Sequence, residues 1–80
     1  MTYIATFFTH FAAVNFQRQL KGTDKKPMLM PVPRKLSSSC GTCVKFSMAF
    51  DPAMADEDLD AVYAVEGGGK YRLLFQNEEE

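Results

Sequence analysis

Residues 51–69 read Asp51-Pro52-Ala53-Met54-Ala55-Asp56-Glu57-Asp58-Leu59-Asp60-Ala61-Val62-Tyr63-Ala64-Val65-Glu66-Gly67-Gly68-Gly69. Asp51-Pro52 breaks the pattern that precedes it. Ala55, Leu59, Val62 and Tyr63 then recur at helical spacing, and Asp56, Glu57 and Asp58 stand where a helix N-terminus favours negative charge. The three glycines end the run. The spacing predicts a helix here. After it, Tyr71, Leu73 and Phe75 alternate with Arg72 as a last strand. Before it, Val44, Phe46, Met48 and Phe50 alternate with Cys43, Lys45, Ser47 and Ala49, which predicts a strand with one buried and one wetter face.

Further upstream, Tyr3 to Phe8 is rich in aromatic and β-branched residues and apolar on both parities, as a central strand should be. Thr9 offers an N-cap oxygen, Gly22 suits a left-handed C-terminal position, and Ala12, Ala13, Phe16 and Leu20 form one helical stripe between them. Phe11 and Val14 fall nearly opposite that stripe and predict an exposed pair, a candidate surface for oligomer formation. Pro27 to Arg34 looks extended, with Pro27, Pro31 and Pro33 all on one parity. Their missing amide donors would line one side, which only an edge strand tolerates.

The resulting order is β-α-β-β-α-β, an α+β fold of the ferredoxin-like type. It predicts a four-stranded antiparallel sheet with two helices on one face. A thioredoxin arrangement would put a cysteine pair at a helix N-terminus, whereas Cys40 and Cys43 here precede or open a strand.

With 80 residues, of which 46% are hydrophobic and 24% charged, the chain allows one small folded domain. We place it at residues 1–76, followed by a solvated acidic tail at 77–80. No apolar run approaches the roughly 20 residues of a membrane helix, and no secretory leader is evident. These features predict a cytoplasmic protein without a membrane partner. The net charge of −1 conceals an asymmetry: residues 1–50 hold seven Lys/Arg and one acid, residues 51–80 two and nine. Such asymmetry either marks an anionic partner or is compensated across the folded surface.

Two cysteines and one histidine, His10, cannot supply the four ligands of a structural zinc site within one chain. Neither a metal nor a cofactor is expected. Met28, Met30 and Met48 read as core filler, and His10 as a helix-start residue making a local hydrogen bond or facing water.

The segment with chemistry in it is Pro33-Arg34-Lys35-Leu36-Ser37-Ser38-Ser39-Cys40-Gly41-Thr42-Cys43. Arg34 and Lys35 raise the local positive potential, Ser37, Ser38 and Ser39 carry hydroxyl donors, and Gly41 lets successive amides converge. All three effects favour a thiolate at Cys40 over a thiol. By spacing alone the segment is either a structural loop or a reactive thiol. Cys43 likewise has two readings, a resolving thiol for Cys40 or a small side chain on the wetter face of its strand.

The chain also resembles the putative selenium/sulfur carrier protein-like family. The likeness runs from Tyr3-Ile4-Ala5-Thr6-Phe7 and Thr9-His10 to Pro31-Val32-Pro33-Arg34 and Leu36-Ser37-Ser38-Ser39-Cys40-Gly41, which looks like the hallmark of that family. It implies a small thiol protein that holds sulfur or selenium on the cysteine before the glycine, here Cys40. The implied partners are a donor enzyme and an acceptor protein. Two other functions compete: a dithiol redox protein using Cys40 and Cys43, and a binding module without thiol chemistry. RNA is not the expected ligand of such a module, because the outer parity of the third strand, Cys43, Lys45, Ser47 and Ala49, offers no ring for base stacking.

Overall fold

A computed structural model of the chain describes residues 2–22, 24–36, 41–47 and 58–77. The first elements follow from the pattern of the sequence. Strand β1 (Thr2–Phe7) leads into helix α1 (His10–Leu20), whose N-cap Thr9 accepts a hydrogen bond on its hydroxyl from the Ala12 amide at 3.1 Å. The predicted stripe Ala12, Ala13, Phe16 and Leu20 is the buried face of the helix. Gly22 takes φ +84°, the left-handed conformation that a residue with a Cβ adopts at a cost. Strands β2 (Met28–Pro31) and β3 (Thr42–Ser47) form a hairpin, and β2 lies at an edge, where Pro31 is tolerated.

The second half departs from expectation in one element. Leu59–Glu66 is a strand, β4, where a helix was expected, while Lys70–Gln76 is β5, the predicted last strand. The sheet has five strands in the order β2-β3-β1-β4-β5, each antiparallel to its neighbours, and α1 is the one helix among the described residues. The chain is therefore not the four-stranded, two-helix ferredoxin-like arrangement. Positions 55–57 of the expected helix, and Met48 to Phe50 of the expected third strand, lie outside the described residues.

The physical reason for the error is visible in β4. Leu59, Val62 and Tyr63 fit a helical stripe, but Leu59, Ala61, Val62 and Ala64 are all buried. A strand paired on both sides and covered on both faces reads as a near-continuous apolar run, and a short run of that kind fits either period. Tyr63, Val62 and Val65 carry the β-branched or aromatic side chains that favour the pleated choice. Gly67–Gly69 does not end a helix. It turns the β4–β5 hairpin between paired Glu66 and Lys70, with positive φ at Gly68 and Gly69.

One sheet face packs on α1. Tyr3, Ala5 and Phe7 of β1, Val44 and Phe46 of β3, and Val62 and Ala64 of β4 meet Ala12, Ala13, Phe16 and Leu20 there. Three ring contacts organise this layer: Tyr3 stacks on Phe46 at 5.5 Å, and Phe16 meets Phe7 at 5.1 Å and Phe46 at 5.7 Å. A bulge between Thr6 and Phe7 shifts the pairing so that Leu59 stands opposite Phe7 and joins the same core.

The other face is not an open polar surface. Ile4, Thr6, Cys43 and Ala61 are all buried on it. Cys43, expected on a wetter face, has no exposed surface, because Thr6 and Met30 pair with it from the strands on either side. The expectation of methionine core filler fails for Met28, which is 58% exposed because it sits on the edge strand opposite Lys45, away from the helix. Met48 lies outside the described residues.

Candidate functional site

Of the Pro33–Cys43 segment, residues 33–36 follow β2 and residues 41–43 lead into β3 of the β2–β3 hairpin. Pro31 pairs with Thr42, and the Val32 amide donates to the Gly41 carbonyl at 3.1 Å. These contacts close a stem, and the described residues 33–36 continue beyond it. Inside the loop the Leu36 amide donates to the Pro33 carbonyl at 3.0 Å, closing a four-residue turn over Pro33-Arg34-Lys35-Leu36.

That turn reaches across the molecule. The Lys35 ammonium donates to the Gly69 carbonyl at 2.9 Å, in the hairpin turn between β4 and β5. Since β2 and β5 are opposite edges of the sheet, the loop spans its width. It does so over the face opposite α1, where Lys35 and Leu36 line an open groove with Tyr63, Tyr71 and Leu73. Pairing of Tyr63 with Ile4 and Leu73 fixes which face this is. A loop segment thus covers part of a face that the sequence pattern left bare.

The individual expectations fall as follows. Cys40 and the serines Ser37, Ser38 and Ser39 lie outside the described residues. Gly41, which follows Cys40, is exposed and has φ +73°. The conformation is left-handed, so glycine is required by backbone sterics although a Cβ there would meet open space. Arg34 is exposed on the turn, while Lys35 is engaged by Gly69. Cys43 is fully buried and its thiol donates to the Pro31 carbonyl at 3.7 Å, a contact internal to the stem. Phe11 is 72% exposed, and Val14 is half-buried.

One residue gained a partner that the sequence did not suggest. His10 Nδ1 lies 3.1 Å from the Thr42 hydroxyl, thirty-two residues away, instead of bonding locally. Thr42 opens β3 two positions after Cys40. Its even parity aims it toward the helical face, beside Val44 and Phe46, where the first turn of α1 arrives. No local pattern announces this pair, because it exists only once α1 packs on β3.

Comparison with known proteins bears on the same part of the chain. The family model described as putative Se/S carrier protein-like matches residues 2–59, which include β1, α1, β2, β3 and the whole loop. No curated protein and no solved structure matches. No helix among the described residues is long and apolar enough to cross a membrane.

Proposed function

The chain belongs to the putative Se/S carrier protein-like family, and from that premise we propose that it carries one sulfur or selenium atom on Cys40 between a donor enzyme and an acceptor protein. The Cys40 thiolate attacks the outer chalcogen of a persulfide, or selenium counterpart, on the donor. A bond from Sγ to that atom forms, the donor's own bond to it breaks, and the donor leaves as a thiolate. Delivery repeats the exchange with the acceptor thiol as nucleophile, so no external oxidant or reductant is consumed.

The observation that carries this reading is the closed hairpin stem. Gly41 is held at an exposed, left-handed turn whose carbonyl is tied to Val32. Cys40 is the residue immediately before this glycine in the sequence. Exposure and a positive surround are what a nucleophilic thiol needs, and Arg34 stands exposed in the same loop. Cys43, by contrast, is packed against Pro31 and has no accessible surface, which favours a carrier with one working thiol over a dithiol pair. A reducing compartment such as the cytoplasm suits this chemistry.

The test is mass spectrometry after exposure to a cysteine desulfurase loaded with a persulfide, or with its selenium counterpart (Cys–S–SeH). Wild-type protein should gain one chalcogen atom, mapped to the peptide containing Cys40, and Cys40→Ser should gain none. A wild-type protein that stays folded and unmodified would overturn the proposal. A Cys40–Cys43 disulfide formed in place of the adduct would do so as well, in favour of the dithiol reading.

A further inference from the structure

We propose that the outer edge of β5, with the groove beside it, docks an extended acidic segment of a partner protein, which adds to the sheet as a further strand. Strands β2 and β5 are the two edges of the sheet, and their sequences treat that position differently. On β2, Pro31 withholds an amide donor, and Pro27 and Pro33 flank the strand, so no continuous strand pairs there. Strand β5 runs from Lys70 to Gln76 without a proline. Among the described residues, no strand pairs with its outer side.

The regular part of β5 is Lys70–Leu73. Beyond it the register shifts: Leu73 stands opposite Tyr63 and Phe75 opposite Val62, which leaves Leu74 as a bulge. In a regular antiparallel strand, alternate residues turn their backbone N–H and C=O away from the paired neighbour. Half of Lys70–Leu73 therefore presents main-chain donors and acceptors outward, enough to register a short extended peptide.

The side chains of this stretch define what the added strand carries. Tyr71 pairs with Val65 and Leu73 with Tyr63, on the face opposite α1. There Leu73 is 48% exposed and lines the open groove with Leu36, Tyr63 and Tyr71. Lys70 pairs with Glu66, and Arg72 with the core residue Ala64, so both cations project on the α1 face. Strand β5 itself contains no carboxylate. The Glu66 carboxylate, 3.8 Å from Arg72, is the one acidic side chain among the groove residues, against Lys35, Lys70 and Arg72.

An incoming strand matches this edge when its residues alternate, acidic on the α1 face and apolar on the groove face. A second copy laid β5 against β5 would instead set cation beside cation, which is unfavourable. Charge complementarity therefore selects an acidic partner over self-pairing.

The experiment is fluorescence anisotropy of a labelled Gly-Glu-Val-Glu-Val-Glu-Gly peptide titrated with the full chain. A control peptide has the same composition with its glutamates and valines in separate blocks. The alternating peptide should bind saturably, about tenfold more tightly than the block peptide, and more weakly as salt rises. Alternate amides within Lys70–Leu73 should exchange more slowly in the complex, as read by nuclear magnetic resonance. Lys70→Glu/Arg72→Glu changes two exposed side chains, and an unchanged circular dichroism spectrum establishes that it folds. It should lose the acidic peptide by about tenfold or more and gain Gly-Lys-Val-Lys-Val-Lys-Gly. Equal affinity for the two acidic peptides, undiminished binding by the charge-reversed protein, or slowed amides only outside β5 would each overturn the proposal. Dimerisation without peptide that slows the same β5 amides would overturn it in favour of a second copy. Tighter binding of single-stranded oligouridylate than of the peptide would overturn it in favour of nucleic acid. The measurement needs no chalcogen, so its outcome is separate from that of the carrier reading.

Discussion

At the scale of single residues, the described cysteine is held inside the sheet. Cys43 belongs to the β2–β3 ladder, where its side chain fills space between Thr6 and Met30 with its thiol on the Pro31 carbonyl. Cys40 lies outside the described residues, immediately before Gly41 in the sequence. Cys43→Ala should therefore leave chalcogen loading intact and lower stability by about 1–2 kcal/mol, the cost of a small cavity, as read by urea titration. Loss of loading in that variant, with the fold retained, would show that the second thiol takes part. Thr9→Ala removes the N-cap acceptor and should destabilise the protein by about 1 kcal/mol, shown as a lowered urea midpoint at unchanged slope. The residue-level reading of α1 from sequence succeeded because a cap, a stripe and a terminating glycine are all local signals. His10 escaped it because Thr42 is remote in the chain.

At the scale of elements, the sequence reading missed one described element, β4, and found the last strand, β5, as it found those before. Strands β1, β2 and β3 and helix α1 were readable because each carries a single period, or, for β2, prolines that exclude a central position. Strand β4 was not, since Leu59, Val62 and Tyr63 satisfy a helix as well as they satisfy a strand buried on both faces. The partner of that strand decides the matter, and a period says nothing about partners. Backbone chemical shifts provide a direct check. Helix α1 accounts for eleven helical residues among the described residues, and nuclear magnetic resonance shifts for Leu59–Glu66 should be extended. Helical shifts across Ala61–Val65 would refute the five-stranded sheet.

The loop makes its own prediction at the same scale. Lys35→Ala removes the contact with Gly69 that ties the hairpin loop across the sheet. Stability should change by no more than about 0.5 kcal/mol, since the contact is exposed. Exchange of the Leu36 amide should nevertheless accelerate, because the turn bonded to Pro33 loses its outer anchor. Unchanged exchange at Leu36 would mean that the turn holds itself.

For the whole molecule, a single aromatic layer joins the two halves of the chain. Phe46 of β3 touches both Tyr3 of β1 and Phe16 of α1, and β4 packs into the same cluster through Leu59, Val62 and Ala64. A domain of this size has a total stability of about 4–12 kcal/mol. Phe46→Ala should cost about 3–5 kcal/mol, enough to leave the protein marginal or unfolded, measured as a lowered urea midpoint at constant slope. The family match ends at residue 59, so the β4–β5 hairpin falls outside it although Gly69 of that hairpin holds Lys35 of the loop. The fold thereby joins the part of the chain that carries the family likeness to a part that does not.

The carrier reading stands on one sulfur atom, and the intact mass of Cys43→Ala protein after contact with a donor persulfide tests it most directly. The account predicts a gain of one chalcogen atom, located on Cys40 by fragmentation and removed by a thiol reductant. An unchanged mass in a protein that remains folded would contradict it.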